Sequence, residues 1–76
     1  MRRYFFDLVS RDRSEYDFRG REFSSPENAL QMAEMIALDL EVRSEGEWCG
    51  WTVYVRNPDG KHFFSIPVRS VDLIAA

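Results

Sequence analysis

Residues 25–46 read SPENALQMAEMIALDLEVRSEG and predict one helix, from residue 25 to residue 45. Ser25 is a suitable N-cap, and Pro26 suits the first helical position because its missing N–H has no intrahelical partner there. Gly46 can adopt the left-handed conformation that ends many helices. In a chain of 76 residues, this helix is the element on which the other segments are expected to pack.

The predicted helix is apolar on two faces. At about 100° per residue, one arc forms a core face that consists of Ala29, Met32, Ala33, Ile36, Ala37 and Leu40, with Leu30 at its edge. Met35, Leu38 and Val42 occupy the opposite side, where a solvated helix usually carries charge. Three interpretations are open for this second stripe. The apolar tail at residues 71–74 covers it, it stays partly exposed as scattered apolar side chains do, or it contacts a second copy or another protein.

Strand-forming segments flank the helix on both sides. Residues 3–9 are rich in aromatic and β-branched side chains and alternate in polarity, which indicates a strand. Residues 51–56 and 61–68 alternate in the same way around an Asn-Pro-Asp-Gly turn, so they predict a hairpin. Pro67 lacks the N–H that a central strand needs, which marks the last strand as an edge strand.

The segment before the helix is polar and predicts a loop over residues 10–21, with a short strand at residues 21–23. That short strand is expected to return antiparallel beside the first one. The element order is therefore β-β-α-β-β, with the second strand short. It predicts an α+β fold of two layers, one helix packed on a small, mostly antiparallel sheet, as a single domain over residues 1–76.

Alternation along the strands leaves aromatic rings on the sheet face away from the helix. Phe5 and Tyr54 point to that face, and strict alternation in the last strand adds Phe63 to them, with His62 and Phe64 on the other side. A two-layer domain has nothing to cover these rings. We therefore interpret them as partner contacts, together with the second stripe of the helix.

The preferred function from sequence is a noncatalytic protein-interaction or accessory module that self-associates or binds another protein. The alternative is a weak nucleic-acid-binding module, in which the exposed rings stack bases beside Arg3 and Arg56. The net charge of −3 argues against that alternative. The charge is also uneven, at +2 over residues 1–21, −6 over residues 22–47 and +1 over residues 48–76.

Few residues suggest chemistry. His62, the only histidine, is expected to be a strand residue with its polar tip in solvent rather than a base or a ligand. Cys49 lies near Glu45 and Glu47, which disfavour a reactive thiolate. Cys49 and His62 are too few for a zinc site. We therefore expect no enzymatic activity, no metal and no cofactor.

Asp7 is unusual because it lies between aromatic and aliphatic residues of the first predicted strand. We expect it to pair with Arg3 or Arg56 on a neighbouring strand. Acid–base catalysis would need a second acid in a cleft, and the sequence indicates neither.

The sequence also favours a cytoplasmic protein. A single cysteine excludes an intrachain disulfide and suits a reducing compartment. No apolar run approaches the roughly 20 residues of a membrane span, so no membrane association is expected. Asp7 interrupts the first apolar run too early for a signal peptide core of about 7–15 residues.

The opening residues 1–8, MRRYFFDL, and the turn at residues 55–61, VRNPDGK, resemble a family of very short bacterial proteins grouped as a domain of unknown function. Its members open with Arg, Tyr, two Phe and an Asp or His, followed by a loop, an Ala-rich helix and a hairpin with a Gly turn. This chain departs from them at Asn57-Pro58, where acids are common, and in a helix less rich in alanine. The resemblance implies a small α+β fold in a bacterial cytoplasm, and it implies no catalytic residue, cofactor or partner.

Overall fold

The computed structural model describes residues 1–43 and 47–69. Its elements are β1 (Arg2–Val9), β2 (Ser14–Glu15), β3 (Arg21–Phe23), α1 (Pro26–Arg43), β4 (Thr52–Arg56) and β5 (His62–Pro67). The strands form one antiparallel sheet in the order β2-β1-β4-β5, and β3 pairs with β1 further along the edge that β2 occupies. One helix on a five-stranded sheet confirms the predicted α+β fold. The two-residue strand β2, inside the predicted loop, is additional.

The helix begins as its sequence predicts. Pro26 is its first residue, and the Ser25 hydroxyl accepts a hydrogen bond from the backbone N–H of Asn28 at 3.2 Å. This is the N-cap contact that satisfies a backbone donor at the start of a helix. Within the described residues α1 ends at Arg43. The predicted stop at Gly46 and the apolar tail at residues 71–74 lie outside the described residues.

The core forms where the predicted face of α1 meets the sheet. The residues buried there are Tyr4, Ala29, Ala33, Ala37, Val53, Val55 and Val68, with Phe6, Leu8, Ile36 and Leu40 among the partly buried side chains packed around them. The small alanines let the helix approach the sheet closely. The large rings and β-branched side chains of the strands supply most of the buried apolar area.

The β4–β5 hairpin closes through Asn57. Its side-chain oxygen accepts hydrogen bonds from the backbone N–H groups of Asp59 and Lys61, both at 3.0 Å. Gly60 adopts a left-handed φ of +87° in the turn. β5 is an edge strand, as Pro67 predicts.

A bulge in this hairpin changes the direction of two side chains. Val55 pairs with Phe64, but Arg56 pairs with His62, so Phe63 is an extra residue in β5. As a result, the Phe63 ring packs against the core ring of Tyr4 at 5.7 Å, and His62 turns to the sheet face away from α1. The prediction that Phe63 points away from the helix is therefore wrong, because a bulge reverses the alternation on which it rested.

Gly20, directly before β3, has the least space around it of the three glycines that the structure describes. Its φ is +68°, and a Cβ there would lie 2.8 Å from the Tyr4 carbonyl oxygen and 2.8 Å from Cε1 of Phe5. Gly60 also has a left-handed φ, but a Cβ there would meet nothing within 4 Å. A substitution at Gly20 therefore carries both steric overlap and left-handed backbone strain, whereas one at Gly60 carries the strain alone.

We expect Gly20→Ala to lower the free energy of unfolding by about 2–5 kcal/mol, from left-handed strain of ~1–2 kcal/mol plus overpacking of ~1–3 kcal/mol. Gly60→Ala carries only the strain and should lose about 1–2 kcal/mol. Urea unfolding of both variants, followed by tryptophan fluorescence, measures the difference. Equal losses would show that the chain around Gly20 gives way without cost.

Candidate functional site

A buried carboxylate lies at the centre of the sheet face that points away from α1. Asp7 of β1 is 0% exposed and is the only buried charged side chain among the described residues. Its Oδ1 accepts hydrogen bonds from the Asp17 N–H at 3.0 Å and from Arg56 Nη2 at 3.1 Å. Its Oδ2 lies 2.9 Å from Arg56 Nε and 2.9 Å from His62 Nε2. These four contacts fill the roughly four lone-pair positions of a carboxylate.

The sheet register brings these groups together. Asp7 pairs with Tyr54 of β4, so Arg56, two residues further along, lies diagonally across from it on the same face. The bulge then places His62 of β5 opposite Arg56 on that face. The Arg56 guanidinium also lies 4.5 Å from the centroid of the Phe5 ring, a cation–π contact. The predicted pairing of Asp7 with Arg3 or Arg56 is thus made by Arg56.

Asp17 ties the loop between β2 and β3 to this network. β2 pairs with Leu8 and Val9, and β3 pairs with residues 2–4, which leaves the middle of β1 without a strand on that edge. There the Asp17 carboxylate accepts a hydrogen bond from the Phe6 N–H at 3.2 Å. The Asp17 carbonyl accepts another from Arg56 Nη2 at 3.0 Å. The Asp17 side chain therefore accepts the Phe6 N–H that a neighbouring strand would otherwise bond.

The Asp17 carboxylate also stabilises a turn within its own loop. Its Oδ1 accepts hydrogen bonds from the backbone N–H groups of Arg19 and Gly20, both at 3.0 Å. An aspartate that bonds the backbone two and three residues on stabilises a turn. This turn brings Gly20 close to β1 and starts β3.

Hydrogen bonding outweighs burial at both acids. Burial raises the pKa of Asp7, but hydrogen bonds from Arg56, the Asp17 N–H and His62 leave that pKa below its usual value of 3.8. Burial also raises the pKa of Asp17, and its three backbone donors likewise bring it below 3.8. The hydrogen bond to Asp7 raises the pKa of Arg56. The network is therefore built for two ionised carboxylates.

His62 is the most exposed group of the ion-pair network, with a side chain that is 40% exposed against 24% for Arg56 and 0% for Asp7. Asp7, when ionised, can only accept, so Nε2 of His62 carries the proton in their 2.9 Å contact. As predicted, His62 is a strand residue with an exposed side chain, but its Nε2 contacts Asp7 instead of solvent. A carboxylate that orients a histidine resembles part of an acid–base site. Here the carboxylate also accepts hydrogen bonds from Arg56 and from the loop, so it connects β1 to β4, to β5 and to the loop.

The six predicted partner-contact residues do not form one surface. Met35, Leu38 and Val42 lie on the outer face of α1 and are 65%, 59% and 66% exposed. Phe5 and Tyr54 lie half-buried on the far side of the sheet, under or beside the charged network. Phe63, 41% exposed, borders the core.

These contacts bear on the alternative of base stacking. Phe5 and Arg56 engage each other, and Arg56 is already held by Asp7. The Tyr54 ring lies beside His62 at 4.9 Å between centroids. Phe5 and Tyr54 are therefore not open rings with a free arginine beside them, and the nucleic-acid alternative gains no support from this face.

Other candidate residues remain apart from the network. Cys49 is an exposed, free cysteine. Among residues 1–43 and 47–69 no three His, Cys, Asp or Glu side chains are grouped so that they could hold a metal ion. Sequence reasoning missed Asp17. Its signal was the spacing Asp17–Gly20, which is typical of a side-chain-capped turn.

The fold and the network define a small α+β domain whose sheet carries a buried ion-pair cluster on its open face. The model of the family described as "Domain of unknown function (DUF6894)" matches residues 3–69, and the chain belongs to this family. No curated protein and no solved structure shows significant similarity to it. In the part of the chain that the structure describes, no helix is both long and apolar enough to cross a membrane.

Acid should destabilise the protein through Asp7 and Asp17. Both have a folded-state pKa below that of the unfolded chain, so their stabilisation is complete above the unfolded pKa of about 3.9 and is lost as the pH falls through the folded pKa. In Arg56→Met, burial of Asp7 dominates instead. The variant should lose about 3–5 kcal/mol at pH 7 and recover part of it on acidification towards pH 5, as Asp7 takes up a proton.

Urea titration from pH 7 to pH 3 measures the difference. From pH 7 to pH 5 the wild type should keep its unfolding free energy while Arg56→Met gains, and below about pH 4 both should lose the contribution of Asp17, whose backbone donors do not depend on Arg56. Arg2→Met is the matched control because Arg2 lies 3.9 Å from Asp59 in an exposed ion pair. It should change stability by at most about 1 kcal/mol and keep the wild-type slope. If Arg56→Met gains no stability from pH 7 to pH 5, as the wild type gains none, the network does not depend on Arg56.

Proposed function

We propose that this protein is a noncatalytic interaction module that binds a protein partner through the outer face of α1. The observation that carries the proposal is the exposure of Met35, Leu38 and Val42, each more than half accessible on one face of one helix. With Met32 and Ile36 they line an open, mostly apolar depression along that face. Apolar side chains grouped in this way mark an interaction site more often than scattered ones do.

The geometry fits an amphipathic helical partner. Apolar residues at i, i+3 and i+7 form a stripe of the kind that a second helix covers with its own apolar face. Methionines at Met32 and Met35 can adapt to different partner side chains because they are unbranched and flexible. Burying the three exposed side chains would contribute on the order of 4–8 kcal/mol before the costs of association.

The acidic side chains of α1 indicate the charge that its partner carries. α1 carries Glu27, Glu34, Asp39 and Glu41 but only one basic residue, Arg43. A second copy that docked helix against helix would bring these acids towards its own. A partner segment with lysine or arginine beside its apolar stripe would meet them with opposite charge, which favours encounter and register. We therefore assign the face to a basic amphipathic segment of another protein.

The catalytic alternative has less support. Asp7, which orients His62, has all its acceptor positions occupied and none left for a substrate. The proposal therefore gives the charged network a structural role and gives α1 the contact.

We also propose that the protein acts in the cytoplasm, since its only cysteine is free and exposed. Cell fractionation of a tagged chain, with a periplasmic and a cytosolic marker, should find it with the cytosolic marker. Recovery with the periplasmic marker would contradict this proposal.

The test uses a synthetic helical peptide of about 14 residues, with leucine on one face and lysine on the other, titrated by calorimetry. Leu38→Glu should weaken its binding by about tenfold or more, because burial of a leucine contributes about 1.5–3 kcal/mol. Phe18→Glu is the control, since Phe18 is 87% exposed in the loop and gains the same charge. It should bind within about twofold of the wild type.

A second peptide with glutamate in place of lysine tests the role of charge and should not bind. Equal binding of both peptides, or equal loss in the two variants, would contradict the proposal. Sedimentation equilibrium tests whether a second copy of the chain covers the outer face of α1 instead. A wild-type dimer at micromolar concentration that Leu38→Glu converts to a monomer would assign the face to a second copy instead.

A further inference from the structure

The only two tryptophans of the chain form a site at the end of the sheet from which β4 starts. Trp48 and Trp51 lie in one turn, closed by a hydrogen bond from the Trp51 N–H to the Trp48 carbonyl at 3.1 Å. Their ring centroids are 4.7 Å apart, and the rings are inclined at 61°. The rings are thus in edge-to-face contact, and both residues line one concave space.

A cation already lies against one ring of this pair. The Arg13 guanidinium carbon is 5.8 Å from the centroid of the Trp51 ring, within the range of a cation–π contact. The sheet explains this placement, because Val9 of β1 pairs with Ser14 on one side and with Thr52 on the other. Arg13 directly precedes Ser14, and Trp51 directly precedes Thr52. Both therefore lie at the same end of β1.

The wall of the concavity supplies opposite charge. Glu15 and Glu47 line it together with Arg13 and the two tryptophans. Both acids are exposed, while both rings are half-buried against the core. The site therefore combines two half-buried rings with two carboxylates at the rim, and among the described residues that line it the one basic residue is Arg13.

We propose that Trp48 and Trp51 form a binding site for an organic cation of the trimethylammonium class, and that Arg13 occupies it in the absence of ligand. Aromatic faces prefer cations that are weakly hydrated, since these lose little on leaving water, and tryptophan is the best ring for the purpose. A guanidinium is itself weakly hydrated. Arg13 thus shows which kind of group the rings accept. The carbonyl and the N–H of Arg13 bond Ser10 at 2.8 Å and 3.2 Å, so the Arg13 side chain can leave Trp51 without breaking these bonds of the turn.

The experiment is a fluorescence titration with choline. Because the chain has no other tryptophan, its intrinsic tryptophan emission reports this site alone. Choline should change the emission saturably, and 3,3-dimethyl-1-butanol, its uncharged isostere, should not. Arg13→Gln should bind choline about three- to tenfold more tightly because the internal cation is removed, which corresponds to about 0.7–1.4 kcal/mol.

Glu15→Gln is the opposing variant and should weaken choline binding by about two- to fivefold, as expected for one exposed charge. Circular dichroism melting of both variants confirms that the fold is kept, since Arg13 and Glu15 are exposed. No saturable response, an equal response to the uncharged isostere, or an unchanged affinity in Arg13→Gln would each overturn the proposal.

Two sources could supply the same cation, a small molecule such as choline or a trimethylated lysine on a protein. A parallel titration with N-acetyl-trimethyllysine methylamide distinguishes them. Tighter binding of the lysine derivative assigns the site to a modified protein, and tighter binding of choline assigns it to a small molecule. Binding of neither overturns the site.

Discussion

The ion pair between Asp7 and Arg56 is the interaction on which the rest of the sheet depends. A carboxylate that is completely removed from water costs several kcal/mol unless its charge and its lone pairs are matched. Asp7 meets that condition only when β4, β5 and the loop after β2 are all in place, since each supplies at least one donor. A slip of one residue between β1 and β4 would turn Arg56 to the other face and leave the carboxylate unpaired. The pair therefore specifies register as well as charge.

Local signals in the sequence were sufficient for most of the architecture. The cap at Ser25, the turn around Asn57 and the alternation of Tyr4, Phe6 and Leu8 each act over a few residues and can be read directly. The bulge that places Phe63 against Tyr4 could not be read, because an extra residue in a strand is decided by its partner strand. For the same reason the sequence named Arg56 only as one of two partners for Asp7, and it missed Asp17, whose contacts cross the sheet.

The structure also accounts for the aromatic rings that a two-layer fold would leave uncovered. On the sheet face away from α1, the Phe5 ring lies under the Arg56 guanidinium and close to Gly20 of the loop. The loop and the ion pair thus act as a thin third layer over part of the sheet. The outer stripe of α1 stays exposed, as do Tyr16 and Phe18 in the segment between β1 and β3 and, to a smaller degree, Phe63 and Phe64 of β5.

The distance along the chain between Asp7 and Arg56, 49 residues, has a consequence for the growing polypeptide. At about 5–20 residues per second, a ribosome needs roughly 2–10 s to add the segment that separates them. During that interval the aromatic residues of β1 have no β4 to pair with, and contacts so far apart in sequence also form slowly once both strands exist. Until β4 has been made, these rings are therefore accessible to chaperones and to the ribosome surface. β1 therefore gains its partner β4 only after β2, β3 and α1 have been synthesised.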